Sequence, residues 1–394
     1  MTEVFLFVSV FCSLLLLRQY DPRYTAPLFL AHDDVSLTMI YQSSHDYNST
    51  HKLTPQLESL HSQISTQKTA HNDGTLSKAA SGLPLASLLQ PIKMRRSLKG
   101  HFGKIVALHW GGDSKLLLTA SQDGNLLLWN AITSNKLQSI ALASSYVMAV
   151  GLEPTQGQLL ASGGLDNLCT VYRRGKKASV VAELASHDGF LSCVRFFDET
   201  HLITSSGDSR CLYWDLGSAK PVSSLAEHTA DAMFVSIKPD DKHVFLSCSV
   251  DQTIKLWDVR TPAQSVQTFE GHQGDVNCVT FMAASGGNCF ASCGFDNTAR
   301  LFDIRAYNEL ACFGSVSTGG FEGYNACSFS VSGRILYCAH TDSTIAAYDT
   351  LKSTTTPAFS MTNAHERNVP CLEVNAAGSA LSTGSWDGTV KVWA

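Results

Sequence analysis

His101, Thr119 and Asp123 supply an imidazole, a hydroxyl and a carboxylate, the three groups of an acyl-transfer triad. The same set returns with His187 and Asp208, His228 and Asp251, His272 and Asp296, and His365 and Asp387. Four residues before each Asp stands a small hydroxyl or thiol residue, and six residues after it an aromatic such as Trp129, Trp214, Trp257 or Trp393. A catalytic site is built once per chain, whereas this constellation is repeated about five times nearly in full and twice in part. Repetition therefore predicts a buried hydrogen-bond chain that ties an outer strand and its turn to the inner ones. Such a chain is stabilising only when every member finds its partner.

The elements that must position these groups follow from the spacing. The turn aspartates are Asp123, Asp166, Asp208, Asp251, Asp296, Asp342 and Asp387, about 42 to 46 residues apart. That period is the length of a four-stranded propeller blade. Within each unit two β-rich runs flank a tight turn, as in Leu116 to Ala120, Gln122-Asp123-Gly124, then Asn125 to Trp129, which is a hairpin. The fold class is thus all-β, a seven-bladed β-propeller whose ring closure covers its strand edges.

Composition narrows the function. Lys plus Arg is 29 against 34 for Asp plus Glu, a net charge of -5 without a long basic run, so no nucleic-acid partner is expected. The 12 cysteines are irregularly spaced and read as reduced, buried thiols of a cytosolic protein. There is no phosphate-binding glycine loop, no Cys-x-x-Cys and no His-Glu-x-x-His, so neither an enzyme nor a cofactor or metal is expected. Arg173-Arg174-Gly175-Lys176-Lys177 reads as a hairpin tip.

Ahead of the repeats, residues 1–52 are an ill-defined extension containing an apolar run, Val4 to Leu17, too short for a membrane-spanning helix. It fits an atypical extension upstream of Met39, a membrane-associating segment, or a signal, although the charge before it is wrong for the last. Residues 53–90 hold a helix and a linker. Thr54 and Pro55 supply a start, and Leu53, Leu57, Leu60 and Ile64 have the alternating spacing of a coiled-coil seam. A helix of roughly eighteen residues draws most of its stability from packing its stripe on a partner. Residues 91–394 are the propeller.

Several segments are more specific than the repeat itself. They include Asp73-Gly74-Thr75-Leu76-Ser77, His109-Trp110-Gly111, Ser121-Gln122-Asp123-Gly124, Gly163-Gly164-Leu165-Asp166-Asn167, Thr204-Ser205-Ser206-Gly207-Asp208 and Thr383-Gly384-Ser385-Trp386-Asp387. With them the chain resembles the WD-repeat β subunit of heterotrimeric G proteins from about Leu53 to the C-terminus. The resemblance implies a transducer whose helix pairs with a γ subunit through Leu57, Leu60 and Ile64. It also implies a propeller face that holds a GDP-bound α subunit and, once that leaves, downstream effectors. Carried over residue by residue, that face comprises Lys104, Val106, Tyr146, Val147, Met148, Leu165, Phe190, Asp231, Met233, Asp275, Asn277 and Trp386. Tyr146 stands where the family usually has Trp, Phe190 and Val106 where it has Tyr, and Phe295 where it has Asp. A seven-helix receptor would act through the heterotrimer, and a lipidated partner would hold the protein at the cytoplasmic face of the plasma membrane. The competing expectation is a WD-repeat scaffold or adaptor outside the G-protein cycle, whose binding would survive loss of residues 53–72.

Overall fold

The computed structural model describes residues 92–394 apart from 262–263, 317–322 and 353–354, together with Ser59 and Gln63. Both of these last residues are helical. The rest of the expected coiled-coil helix, with Leu57, Leu60 and Ile64, lies outside the described residues, as does the linker that follows it.

Among the described residues, twenty-eight strands form seven four-stranded antiparallel sheets. The first strand, β1 (Met94–Lys99), stands apart, and the first blade is β2 (Ile105–Trp110), β3 (Leu116–Ser121), β4 (Asn125–Asn130) and β5 (Asn135–Ala141). The second is β6 (Val147–Leu152), β7 (Leu159–Gly164), β8 (Cys169–Arg173) and β9 (Ser179–Leu184). The third is β10 (Leu191–Phe196), β11 (His201–Ser206), β12 (Cys211–Asp215) and β13 (Lys220–Leu225). The fourth is β14 (Ala232–Ile237), β15 (Val244–Ser249), β16 (Ile254–Asp258) and β17 (Gln267–Phe269). The fifth is β18 (Val276–Phe281), β19 (Cys289–Gly294), β20 (Thr298–Asp303) and β21 (Asn308–Gly314). The sixth is β22 (Tyr324–Phe329), β23 (Ile335–His340), β24 (Ile345–Asp349) and β25 (Phe359–Met361). The last is β26 (Cys371–Val374), β27 (Leu381–Gly384) and β28 (Thr389–Trp393), and β1 supplies its fourth strand by pairing with β28. Blade and sequence repeat are therefore out of phase by one strand.

Burial follows position in the blade. The second and third strands are covered by the neighbouring blades on both faces and read as near-continuous apolar runs, as in β3, where all six residues are buried. The outermost strands carry exposed polar side chains between a few buried anchors, as in β5. That polarity blunts an edge open to solvent. The basic run after Tyr172 forms the β8–β9 hairpin tip, as its composition predicts.

Each turn aspartate has two tasks. In all seven blades one carboxylate oxygen accepts the backbone N–H two residues on, from Asn125, Leu168, Arg210, Thr253, Thr298, Thr344 and Thr389. The residue between is left-handed in every case, from Gly124 (φ 75°) to Gly388 (φ 77°). In five blades the other oxygen accepts from a histidine, at 3.0 Å from His101 and 2.8 Å from His187, His228, His272 and His365. The first task explains why Asp166 and Asp342 are retained in blades that lack the five-blade pairing.

From the histidine the chain continues inward. Its Nε2 lies 2.7–2.9 Å from the hydroxyl of Thr119, Thr204, Ser247, Ser292 or Thr383. In four blades that hydroxyl also accepts the indole N–H of Trp129, Trp214, Trp257 or Trp393. Burial lowers the pKa of His101, His187 and His365 against the pull of their aspartates, so these rings are neutral. An ionised carboxylate only accepts, so Nδ1 carries the proton, Nε2 accepts, and the hydroxyl donates outward while taking the indole N–H. All donors and acceptors are thereby matched, and the hydroxyls are wholly buried. The linkage joins the second and third strands and their turn to the loop from the preceding blade. It does not reach the outermost strand, which narrows the sequence expectation. Phe302 replaces the tryptophan in the fifth blade, where the chain ends at Ser292.

The closing seam between the last and first blades has its own fastening. Glu373 on β26 accepts the Trp110 backbone N–H at 2.8 Å through its carboxylate and the Trp110 indole N–H at 3.1 Å through its main-chain carbonyl. His109 Nε2 is 3.6 Å from the same carboxylate, while its Nδ1 accepts the Leu152 N–H from the second blade. Burial pushes the Glu373 carboxyl up to about 7, with Arg195 and the Trp110 N–H opposing. Because the folded value lies above the unfolded one, stability from this group is full below the ordinary carboxyl range and is lost as pH rises towards 7. Glu373→Gln keeps the acceptor and removes the charge. Its thermal midpoint should exceed that of the parent at pH 8 and match it near pH 5, by on the order of 1–3 kcal/mol, which paired melts at the two values would read.

Candidate functional site: a three-tiered ring on one face

The loop entering each inner strand meets the turn between the second and third strands of the same blade through one repeated backbone bond. The N–H groups of Gln122, Leu165, Gly207, Val250, Phe295, Thr341 and Trp386 donate to the carbonyls of Lys104, Tyr146, Phe190, Asp231, Asp275, Gly323 and Asn368, at 2.9–3.0 Å. These bonds define two concentric tiers on one face of the ring. The approach is close enough to require glycine at the end of some second strands. A Cβ on Gly164 would stand 2.0 Å from the Tyr146 carbonyl oxygen, and one on Gly294 2.2 Å from that of Asp275.

A third tier lies two residues further on. In six blades the register of the inner strand slips between its first and third residues, for example between Ile105, opposite Ser121, and Ala107, opposite Ala120. The extra residue is Val106, Met148, Ser192, Met233, Asn277 or Asn325. A bulge of this kind re-aims a side chain out of the ladder. All six line one cavity of about 660 Å³ that follows the inner strands through the centre of the ring. In the seventh blade Pro370, which has no N–H to pair, takes the place and lines the same channel.

The sequence-derived candidates fall into these tiers. Lys104, Tyr146, Phe190, Asp231 and Asp275 are loop residues, Leu165 and Trp386 are turn residues, and Val106, Met148, Met233 and Asn277 are bulge residues. One candidate is corrected: Val147 is 3% exposed and packs in the core with Leu126, Ile140 and Tyr172, so it presents no side chain to the surface. It is the first paired residue of β6, one step past the loop, and the change from loop to strand turns its side chain inward. Sequence reading missed Gln122, Val250, Thr341 and Asn368, which share the tiers but whose types advertise no chemistry.

Charge and greasiness are distributed unevenly. Tyr146, Leu165 and Trp386 are 61%, 52% and 37% exposed and lie on the second and last blades, with Phe102 fully exposed at the first. The Lys104 ammonium sits 4.2 Å above the Trp386 ring, a cation–π contact that holds both side chains at the seam between the last and first blades. Asp231 and Asp275 occupy the fourth and fifth blades, across the ring. Lys104 and the exposed aromatics thus lie across the ring from Asp231 and Asp275, a layout that buries apolar area and orients a partner at once.

Comparison with known proteins gives one consistent result. The family described as G protein beta WD-40 repeat protein matches residues 48–394. A guanine nucleotide-binding protein subunit beta of Arabidopsis thaliana is 37% identical over 314 residues, covering 76% of this chain and 82% of that protein. One from Nicotiana tabacum is 38% identical over 314 residues (76% and 83%), and one from Zea mays 35% over 335 residues (81% and 87%).

Proposed function

The chain belongs to the G protein beta family of WD-40 repeat proteins, and from that premise we propose that it binds a G-protein α subunit in its GDP state on the three-tiered face. The observation that carries this reading is the clustering of exposed Tyr146, Leu165 and Trp386, with Lys104 stacked on the last, on a face whose opposite half bears Asp231 and Asp275. Anchors of this kind, ringed by groups that set orientation, characterise surfaces that bind other proteins.

A γ subunit pairs with the heptad-spaced segment 53–72, and the lipid on that partner holds the complex at the inner face of the plasma membrane. Among the described residues no helix is long and apolar enough to cross a membrane. Effectors use the same face once the α subunit leaves, and a seven-helix receptor acts through the assembled heterotrimer. Mutually exclusive occupants of one rigid surface make a switch without any change of shape in the ring.

The test is a pull-down from native extract with the protein tagged at its C-terminus. An α subunit should be retained with GDP and lost with a non-hydrolysable GTP analogue, while a small γ-like chain stays in both. Recovery of a ribosomal or ubiquitin-ligase complex, with neither subunit, would leave only the propeller standing.

A further inference from the structure

The central channel contains a cation without a counter-ion. Arg195, on β10, donates from Nη1 to the carbonyls of Val150 at 2.9 Å and Val194 at 2.8 Å, and its guanidinium carbon lies 4.8 Å from the centre of the Phe234 ring. Among the described residues no carboxylate is within ion-pair distance, and its Nε and Nη2 make no hydrogen bond. Neither of these two nitrogens is sealed from solvent, so an anion entering the channel can exchange their water for a charge-assisted pair. Two carbonyls and an aromatic face fix the group in advance, which leaves one edge of the planar fork open to the channel.

The surroundings define what would complete it. Val106, Leu108, Met148, Val150 and Met233 give the channel apolar stretches of wall, interrupted by Ser192, Asn277 and Asn325, and its volume of about 660 Å³ falls in the range of a small-molecule pocket. His109 also lines it; its pKa is held well below the ordinary value by burial and then by Arg195, so it is neutral. Glu373, faced by His109, Arg195 and Cys278, is held largely protonated below pH 7. Arg195 is the one Arg or Lys among the described residues that line the channel, and a single negative charge on its free edge balances it.

We propose that the channel is a binding site for a small monocarboxylic acid with an apolar body, its carboxylate on the free edge of Arg195 and its body against the walls formed by Met148, Met233 and Phe234. A dianion would leave one charge without a cationic partner in the channel. An uncharged analogue would leave the guanidinium edge unpaired. The site shares Met148 and Met233 with the third tier of the exposed face and lies inward of the two outer tiers.

Isothermal titration of the full chain at about pH 6 with phenylacetate, 2-phenylethanol and inorganic phosphate tests the assignment. Saturable binding of phenylacetate alone is expected, with Arg195→Met weakening it by about tenfold or more and Arg195→Lys by less, since a charge-assisted bidentate pair is lost in the first. Should Arg195→Met fail to fold, Met148→Trp, which fills the channel while leaving Arg195 and its carbonyls in place, should abolish the same signal. Absence of phenylacetate binding overturns the proposal. Equal binding of the alcohol, binding of phosphate in preference, or unchanged affinity in the Arg195→Met and Met148→Trp proteins overturns it as well.

Discussion

Ser247→Ala should lower the thermal midpoint of the protein by on the order of 5–10 °C, the largest stability loss expected from removing a single oxygen. That hydroxyl is 2.7 Å from both His228 Nε2 and the Trp257 indole nitrogen. Its removal strands a buried indole donor and a buried imidazole acceptor, at about 1–3 kcal/mol for each unsatisfied group. Ser292→Ala is the internal control. Phe302 stands where the tryptophan would be, so only His272 loses a partner and the loss should be roughly half as large. Calorimetry of the two variants side by side decides the matter, and equal losses would mean that the indole bond contributes nothing.

The same linkage sets the acid limb of stability. Burial alone would raise the carboxyl pKa of Asp208, but the bonds from His187, Asp188 and Arg210 outweigh it and hold the value low, and Asp296 is brought down to about 2 by the same balance. The lowered histidines act in the same direction. For both kinds of group, stability is complete above the unfolded value and is lost as pH falls through the folded one, so unfolding should set in below about pH 6.5 and steepen under pH 4. Glu373 acts oppositely, which places the stability maximum on the mildly acidic side of neutrality.

Trp386→Ala should weaken capture of a GDP-bound α subunit by about a hundredfold while leaving the melting temperature nearly unchanged. The ring is more than a third exposed, so little of its area contributes to the core, and Lys104 loses its stacking partner in the same step. Lys104→Glu should act differently, slowing association and reversing its salt dependence more than it shortens the life of the complex. Surface plasmon resonance against an immobilised α subunit separates the two. Undiminished binding by Trp386→Ala would remove the three-tiered face from the assignment.

The blades were legible in the sequence because an aspartate in a tight turn cannot be moved without losing its backbone bond, and so it keeps time along the chain. The hydrogen-bond linkage was legible by residue type, whereas the shorter chain at Ser292, beside Phe302, emerged only from the structure. Less accessible was anything that depends on register. Met148 and Val147 are neighbours of similar character, yet one is re-aimed into the channel by a bulge and the other is sealed in the core, and no property of either side chain announces which. The tier partners Val250 and Thr341 were missed for a related reason, since they are recruited by a main-chain bond that any residue can make. Arg195 escaped notice as an ordinary charge in a strand, because only ring closure puts it opposite apolar walls.

The pairing of β1 with β28 constrains how the protein is made. The strand that completes the last blade emerges from the ribosome some three hundred residues before the strand it joins, so six blades can assemble during synthesis while the seventh waits for the final residues. Until then β1 has no strand to pair with and the arc leaves apolar faces of its first and sixth blades uncovered, so a helper that shields those surfaces would raise the yield of closed rings.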